Sequence, residues 1–357
     1  MPITKESLLY IYPSKASFVN NDISFLAQHF QVKTQDLSWG TPLLLPINLL
    51  RQCWFLLKHA RTATAIVVSF GGYFSLLPVL LGKLFAVPTL IVLNGTDCVS
   101  FPRYQYGSLR KPLLRFFIKH TYAFASKLLP VDASLQIQAH TFDVDCVHLQ
   151  QGFQYFFPKN TTPVRVLPNG FDTQFWQPDL PQKATGTFIT VAAINNVNTL
   201  QVKGIDLFFE AALQFPEQQF TLVGISKEMQ TTISIPTNVT CYPFVAREQL
   251  KKMYQSHQFY MQLSINEGFG CALAEAMLCG CVPVVSNVGA LPHVVGDTGF
   301  VISKRTKDAV KIALETVLQL SKEKQTALSG VARQRIVEKF PISEREKVLL
   351  QEIAGTF

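Results

Sequence analysis

The chain has 357 residues, 48% hydrophobic and 16% charged, enough apolar content for two cored domains and too much for a disordered chain. Its net charge of +8 favours an acidic partner: a phosphate-rich substrate or an anionic membrane surface. No concentrated Lys/Arg tract or nucleic-acid motif is present, which argues against nucleic acid as a partner.

The first half alternates strands with helices. Residues 7–12 read as an apolar strand and 18–30 as a helix, with Phe18, Ile23, Phe25, Leu26 and Phe30 on helical spacing. A strand over 32–37, a helix over 43–60 and a strand over 64–70 ending in Gly71-Gly72 follow. Residues 76–93 are eighteen in number with one charge, Lys83, but that central lysine and Pro88 argue for a buried helix over 76–85 and a strand over 89–94 rather than a membrane span. Such alternation predicts an α/β, doubly wound parallel sheet. Ligands bind at the carboxyl ends of its strands. That selects the loops carrying Gly71, Gly72, Asn94, Asp97 and Arg103 as the active face of a first domain. Phe101, Tyr104 and Tyr106 on the last of these loops could stack on sugars, or pack the loop itself.

Residues 109–127 interleave Arg110, Lys111, Arg115 and Lys119 with Leu113, Leu114, Phe116 and Phe117. Two readings stand: a basic helix with an apolar edge that meets an anionic membrane surface, or an ordinary amphipathic helix. A strand over 128–131 and a helix starting at Asp132 come next. Asp143-Val-Asp145 is a D-x-D without further ligands nearby, and no metal is expected there. A strand from Val164 runs into the Pro168-Asn169-Gly170 turn, and the Pro-, Gln- and Thr-rich stretch after Asp172 reads as a linker.

The second half repeats the pattern. Strands over 187–194, 220–224 and 240–244 alternate with helices from Asp206 and over 246–255. Lys203 stands just before a helix N-terminus, where a cation can hold a diphosphate. Residues 257–300 form the stretch with most chemistry: an apolar strand, the turn Asn266-Glu267-Gly268-Phe269-Gly270, a helix over 271–279 stopped by Gly280, and the strand Val282-Pro-Val-Val-Ser286. The turn puts free N–H groups at a helix N-terminus, a seat for a phosphate or sugar hydroxyl. Glu267 and Glu275 bracket the helix, about 10 Å apart at 1.5 Å rise per residue. Helices over 308–320, 325–340 and 343–353 close the chain.

Glu267-Gly-Phe-Gly-Cys-Ala-Leu-Ala-Glu275, followed by Gly280-Cys-Val-Pro-Val-Val, resembles the E-x7-E signature of family-4 retaining glycosyltransferases. The Pro168-Asn-Gly-Phe-Asp172 stretch is similar to the one that closes the first domain in that family. The resemblance implies the GT-B fold, two Rossmann-like domains facing across a cleft. It implies an N-terminal acceptor domain over 1–172, with residues 343–357 packing back onto it, a linker over 173–186 and a nucleotide-sugar domain over 187–340. It further implies that Lys203 neutralises the donor diphosphate and that Glu275 binds the ribose. Glu267, with the N–H groups of Gly268, Phe269 and Gly270, would hold the donor sugar. Asp97 is a further candidate catalytic group, and Asn94, Arg103, Gly71 and Gly72 candidate acceptor contacts. The expected reaction is transfer from a nucleotide sugar to a cell-envelope glycan or lipid-linked acceptor, with configuration retained and with neither metal nor other cofactor.

Three positions depart from the family pattern. Val191-Ala-Ala-Ile194, followed by a polar loop over Asn195–Gln201, stands where a Gly-Arg supplies a second cation, Asn94-Gly95 where many members have His-Gly, and His293 where an acid is common. A non-catalytic homologue that binds a glycan or a partner is therefore the competing reading. Seven scattered cysteines suggest reduced thiols, and Met1–Glu6 lead straight into a strand without a signal-peptide core. The expected location is cytoplasmic, peripheral on the inner face of the plasma membrane.

Overall fold

The structure is a computed structural model that describes residues 5–179 and 183–355. The expectations that touch residues 1–4, 180–182 of the linker, and 356–357 lie outside the described residues.

The first domain runs β1 (Ser7–Ile11), α1 (Ser17–His29), β2 (Gln31–Thr34), α2 (Leu45–His59), β3 (Ala63–Ser69), α3 (Leu76–Leu84), β4 (Thr89–Leu93), α4 (Pro112–Phe124) and β5 (Lys127–Pro130). Its five strands are parallel in the order β2-β1-β3-β4-β5. All five residues of β4 are buried, as expected for a strand covered on both faces. The chain moves one way from β1 to β2 and the other way from β2 to β5. Right-handed crossovers therefore put α1 on one face of the sheet and α2, α3 and α4 together on the other. A two-residue antiparallel pair, β6 (Gln138–Ala139) with β7 (Gln150–Gln151), and α5 (Phe153–Phe156) follow.

The second domain comprises β8 (Ala184–Ile194), α6 (Val197–Val202), α7 (Ile205–Gln214), β9 (Gln219–Ile225), α8 (Lys227–Thr232), β10 (Val239–Tyr242), α9 (Arg247–Ser256), β11 (His257–Gln262), α10 (Cys271–Leu278), β12 (Val282–Ser286), α11 (Leu291–Val295), β13 (Phe300–Ile302), α12 (Lys307–Leu318) and α13 (Lys322–Lys339). Its parallel strands order β10-β9-β8-β11-β12-β13. Phe220, Phe188 and Phe259 are in register on three adjacent strands and stack with centroids 5.0 and 4.8 Å apart.

The last helix, α14 (Ile342–Ala354), leaves the second domain and packs against α1. Buried Arg345 donates from Nε and Nη2 to both oxygens of buried Asp22, at 2.7 and 2.8 Å. Its Nη1 reaches the carbonyls of Leu167 and Pro168.

Several local expectations change. β8 begins three residues before 187, so part of the expected linker is strand. The loop expected over 195–201 is mostly α6, because the Asn196 side chain caps that helix by accepting from the Thr199 N–H at 3.0 Å. The expected strand at 164 is a single bridge from Val164 to Leu128; the Leu167 N–H still reaches the Pro130 carbonyl, but Pro130 has no N–H to return the next bond to Arg165. The helix expected from Asp132 is one 3-10 turn, Ala133–Leu135. The basic helix is shorter than 109–127, because Lys127 already belongs to β5 and pairs with Glu352. Among the described residues no helix is long and apolar enough to cross a membrane, and all seven cysteines are free thiols.

Candidate functional site

The carboxyl ends of both sheets face each other, and loops from each meet there. Gly268 packs on the backbone of Asn94 and Gly95. Phe269 packs on Phe171 with ring centroids 5.8 Å apart, and the Asn169 amide reaches the Cys271 sulfur at 3.3 Å. Between the domains lies a cavity of about 360 Å³, lined by residues of both, among them Asn94, Tyr106, Asn169, Lys203, Glu267 and Gly268–Ala272.

Lys203 is aimed by its neighbours. Gly204 adopts φ +67, and a Cβ there would lie 2.0 Å from the Leu263 carbonyl, so a glycine is needed for the chain to turn into α7. The Lys203 ammonium donates to Glu267 Oε1 at 2.6 Å, and the same oxygen accepts from Ser264 Oγ at 2.9 Å. Burial opposes the Lys203 charge, but Glu267 and Tyr106 outweigh it and raise its pKa. The Tyr106 hydroxyl is also raised, chiefly by burial. Gly270, at φ +93, starts α10 and leaves its first N–H groups toward the cavity. Among the cavity's lining residues Lys203 is the cation and Glu267 the anion. The β8 end at Val191–Ala193 lines the same cavity without a basic group, so the departure at those positions leaves no second cation there.

Two amide oxygens on this wall, Asn94 Oδ1 and Asn169 Oδ1, are buried without a hydrogen-bond partner. Unpaired buried acceptors are costly, about 1–3 kcal/mol each, and a hydroxyl-bearing ligand would satisfy them.

Glu275 opens onto a neighbouring pocket that it shares with Asn20, Asn21, Asp172 and Arg247. Burial pushes its carboxyl up to about 8, with Arg247 opposing. Arg247 lies over the rings of Phe175 and Trp176, at 4.1 and 5.2 Å. Nothing in the sequence around Arg247 signals that α9 brings a cation beside Glu275. That link is tertiary.

Other expected residues land elsewhere. Asp97 is fully buried and accepts from the N–H groups of Gly71 and Gly95 and from the Tyr122 hydroxyl, at 2.8, 3.0 and 2.9 Å. Burial raises its pKa in spite of these donors. It builds the loop rather than standing free as a catalytic group, and Gly71 and Gly72 are buried beneath it. Arg103 is exposed, pairs with Asp145 at 2.6 Å and does not line the cavity. Tyr104 donates to Asp143, so both carboxylates of the D-x-D are engaged by side chains. Of the three aromatics on that loop only Tyr106 reaches the cavity. His293, which stands where the family commonly has an acid, contacts Asp132 of the first domain, Nδ1 to Oδ2 at 2.6 Å.

Two facing parallel-sheet domains with a cleft between them, joined by a returning C-terminal helix, are the GT-B architecture. The solved structures agree. Sucrose-phosphate synthase from Thermosynechococcus elongatus aligns over 98% of this chain and 99% of its own, with TM-score 0.73 and 16% identity. Anabaena HepE, solved with UDP and glucose, aligns over 98% and 100% with TM-score 0.73 and 16% identity. Residues 187–335, most of the second domain, match the family model described as Glycosyl transferases group 1.

The relatives in sequence carry related names. The phosphatidylinositol N-acetylglucosaminyltransferase gpi3 subunit of Schizosaccharomyces pombe is 28% identical over 145 residues, 38% of this chain and 31% of that protein. A GDP-mannose:cellobiosyl-diphosphopolyprenol alpha-mannosyltransferase of Xanthomonas oryzae is 35% identical over 146 residues, 38% of each. The chain thus spans about a third of the length of these relatives.

Proposed function

We propose that the chain is a retaining glycosyltransferase that moves a sugar from a nucleotide-sugar donor to a cell-envelope glycan or lipid-linked acceptor, without a metal ion. The observation that carries this reading is the interdomain cavity, where a half-buried Lys203–Glu267 pair stands beside two unpaired amide oxygens. A diphosphate would take Lys203 from Glu267, and the N–H groups at the start of α10 would share its charge. Glu267, still held by Ser264, would then accept hydrogen bonds from the sugar hydroxyls, and Asn94 and Asn169 would satisfy others. Glu275 would take the ribose, with Arg247 favouring its ionised form. Asp97 is fully buried under hydrogen bonds from Gly71, Gly95 and Tyr122 and does not line the cavity, so it is out of reach of an acceptor hydroxyl. The acceptor hydroxyl would therefore pass its proton to the departing phosphate on the same face of the sugar, which retains configuration.

The test is thermal stabilisation and calorimetry with UDP-, GDP- and ADP-sugars on wild type, Lys203→Ala and Glu275→Ala. Donor at a hundredfold excess over Kd should add about 2.7 kcal/mol. Binding that survives in both variants would refute the site assignment. A second reading, a non-catalytic binding module, is motivated by the missing cation at Val191–Ala193. It predicts donor or glycan binding without turnover, and product formation by the purified chain would exclude it.

A further inference from the structure

The net charge of +8 has a single source. Residues 37–131 hold ten Lys and Arg against one acid, buried Asp97, while the rest of the chain is nearly neutral at −1. In space this segment supplies β3, β4 and the layer of α2, α3 and α4 on one face of the first sheet. The opposite face is covered by α1 and α14. The outer side of the three-helix layer is uncovered. It exposes large apolar side chains: Leu50 and Trp54 on α2 at 72% each, Leu84 on α3 at 71%, and Leu113 and Phe116 on α4 at 60% and 53%. Arg51, Lys58, Lys83, Arg115 and Lys119 are exposed among them, and none forms an ion pair with a carboxylate among the described residues. Beside α4, Arg115, Lys119 and Lys159 rim a cavity of about 420 Å³ floored by Phe116, Phe156 and Phe157.

We propose that the α2–α3–α4 face is a docking surface for an anionic phospholipid bilayer. Charge and apolarity together select that occupant. A soluble polyanion would use the cations but leave Trp54, Leu50 and Leu84 in water, whereas an acyl–headgroup boundary accepts both. A second copy of this chain would bring the same uncompensated positive charge to the contact. The cavity beside α4 fits a lipid phosphate, held by three cations against an apolar floor. The surface is wider than the basic helix alone: Arg110 and Lys127 are drawn inward, and α2 and α3 supply most of the exposed apolar groups. This inference does not rest on donor chemistry, so it stands or falls apart from the glycosyltransferase reading.

The experiment is co-sedimentation of the full chain with phosphatidylcholine vesicles, with and without phosphatidylglycerol, at low and high salt. Binding should need the anionic lipid and weaken with salt. At about 1 kcal/mol per cation near the surface, Arg51→Gln with Lys58→Gln should weaken binding roughly thirtyfold. Leu50→Ser with Trp54→Ser should weaken it further while leaving the melting temperature unchanged, since both side chains are exposed. Trp176 is buried and Trp39 packs on Phe74, so a vesicle-induced blue shift of emission should vanish in Trp54→Phe. No binding to phosphatidylglycerol vesicles would overturn the proposal, as would binding that both double variants retain. A wild-type dimer that Trp54→Ser converts to monomer, with no vesicle binding, would assign the face to self-association instead.

Discussion

Gly268→Ala tests the closeness of the two domains. A Cβ at Gly268 would fall 2.0 Å from the Asn94 carbonyl oxygen and 3.1 Å from Gly95 Cα, both backbone atoms of the other domain. Ordinary contact begins at 3.4 Å, so the backbones must part by about 1.4 Å. No side-chain rotation can absorb that. Overpacking of this kind costs about 1–3 kcal/mol. At about 2–4 °C per kcal/mol for domains of 150–250 residues, the melting temperature should fall by roughly 5 °C. Function should suffer more than stability, because Lys203 and Glu267 sit on one side of the gap and Asn94 and Asn169 on the other. A displacement of an ångström at a reacting centre can cost on the order of a hundredfold. The assays are a thermal melt, a donor titration and a transfer rate, with Gly330→Ala as control. Gly330 is exposed on α13 with nothing within 4 Å of its Cβ, and its substitution should stabilise by about 0.5–1 kcal/mol. Wild-type melting and activity in Gly268→Ala would refute the close approach of Gly268 and Asn94 in the working protein.

Other expectations follow from the charged groups. Arg345→Ala strands buried Asp22 and should destabilise by about 3–5 kcal/mol, read as a large drop in denaturant midpoint. Glu275 has a folded pKa near 8, above its unfolded value, so its ionisation lowers stability as pH rises from the unfolded pKa toward 8. Glu275→Gln should therefore melt higher than wild type near pH 8.5 and level with it near pH 4, while losing donor affinity. Equal melting at both pH values would contradict the burial of that carboxyl. In the His293–Asp132 pair, the hydrogen bond to Asp132 raises the His293 pKa, and the pair lowers that of Asp132 despite burial. Stability from His293 is present below its unfolded pKa and fades as pH rises through the folded one. That from Asp132 is present above its unfolded pKa and fades as pH falls. The melting gap between wild type and His293→Ala should thus be widest near pH 5–6 and shrink by pH 8.5. Because His293 is over half exposed, the gap should stay at or below about 1 kcal/mol.

The local grammar of the chain was legible from its residues. Uninterrupted apolar runs such as Thr89–Leu93 can only be strands buried on both sides, and their alternation with helices leaves a parallel sheet as the outcome. The Gly268-Phe-Gly270 turn was equally readable, since φ +93 at Gly270 requires a residue without Cβ. Asn196 was a cap in plain view, and α6 was missed because a short helix carries too little periodicity to stand out from a polar loop. The side-chain partners were another matter. Asp97 stands on a loop at a strand end, as a catalytic acid would, yet Gly71, Gly95 and Tyr122 close around it from three separate segments. Arg247 meets Glu275, His293 meets Asp132, and Arg345 meets Asp22 across separations of 28, 161 and 323 positions in the chain. The apolar faces of α2, α3 and α4 each look ordinary alone. They become one surface only because all three crossovers run the same way along the sheet and share its hand. Periodicity and turn chemistry act over a few residues, so the sequence determined the elements and the donor-site turn. Which charges face one another, and which faces stay uncovered, depends on the order in which strands add to a sheet, and only the tertiary structure decided that.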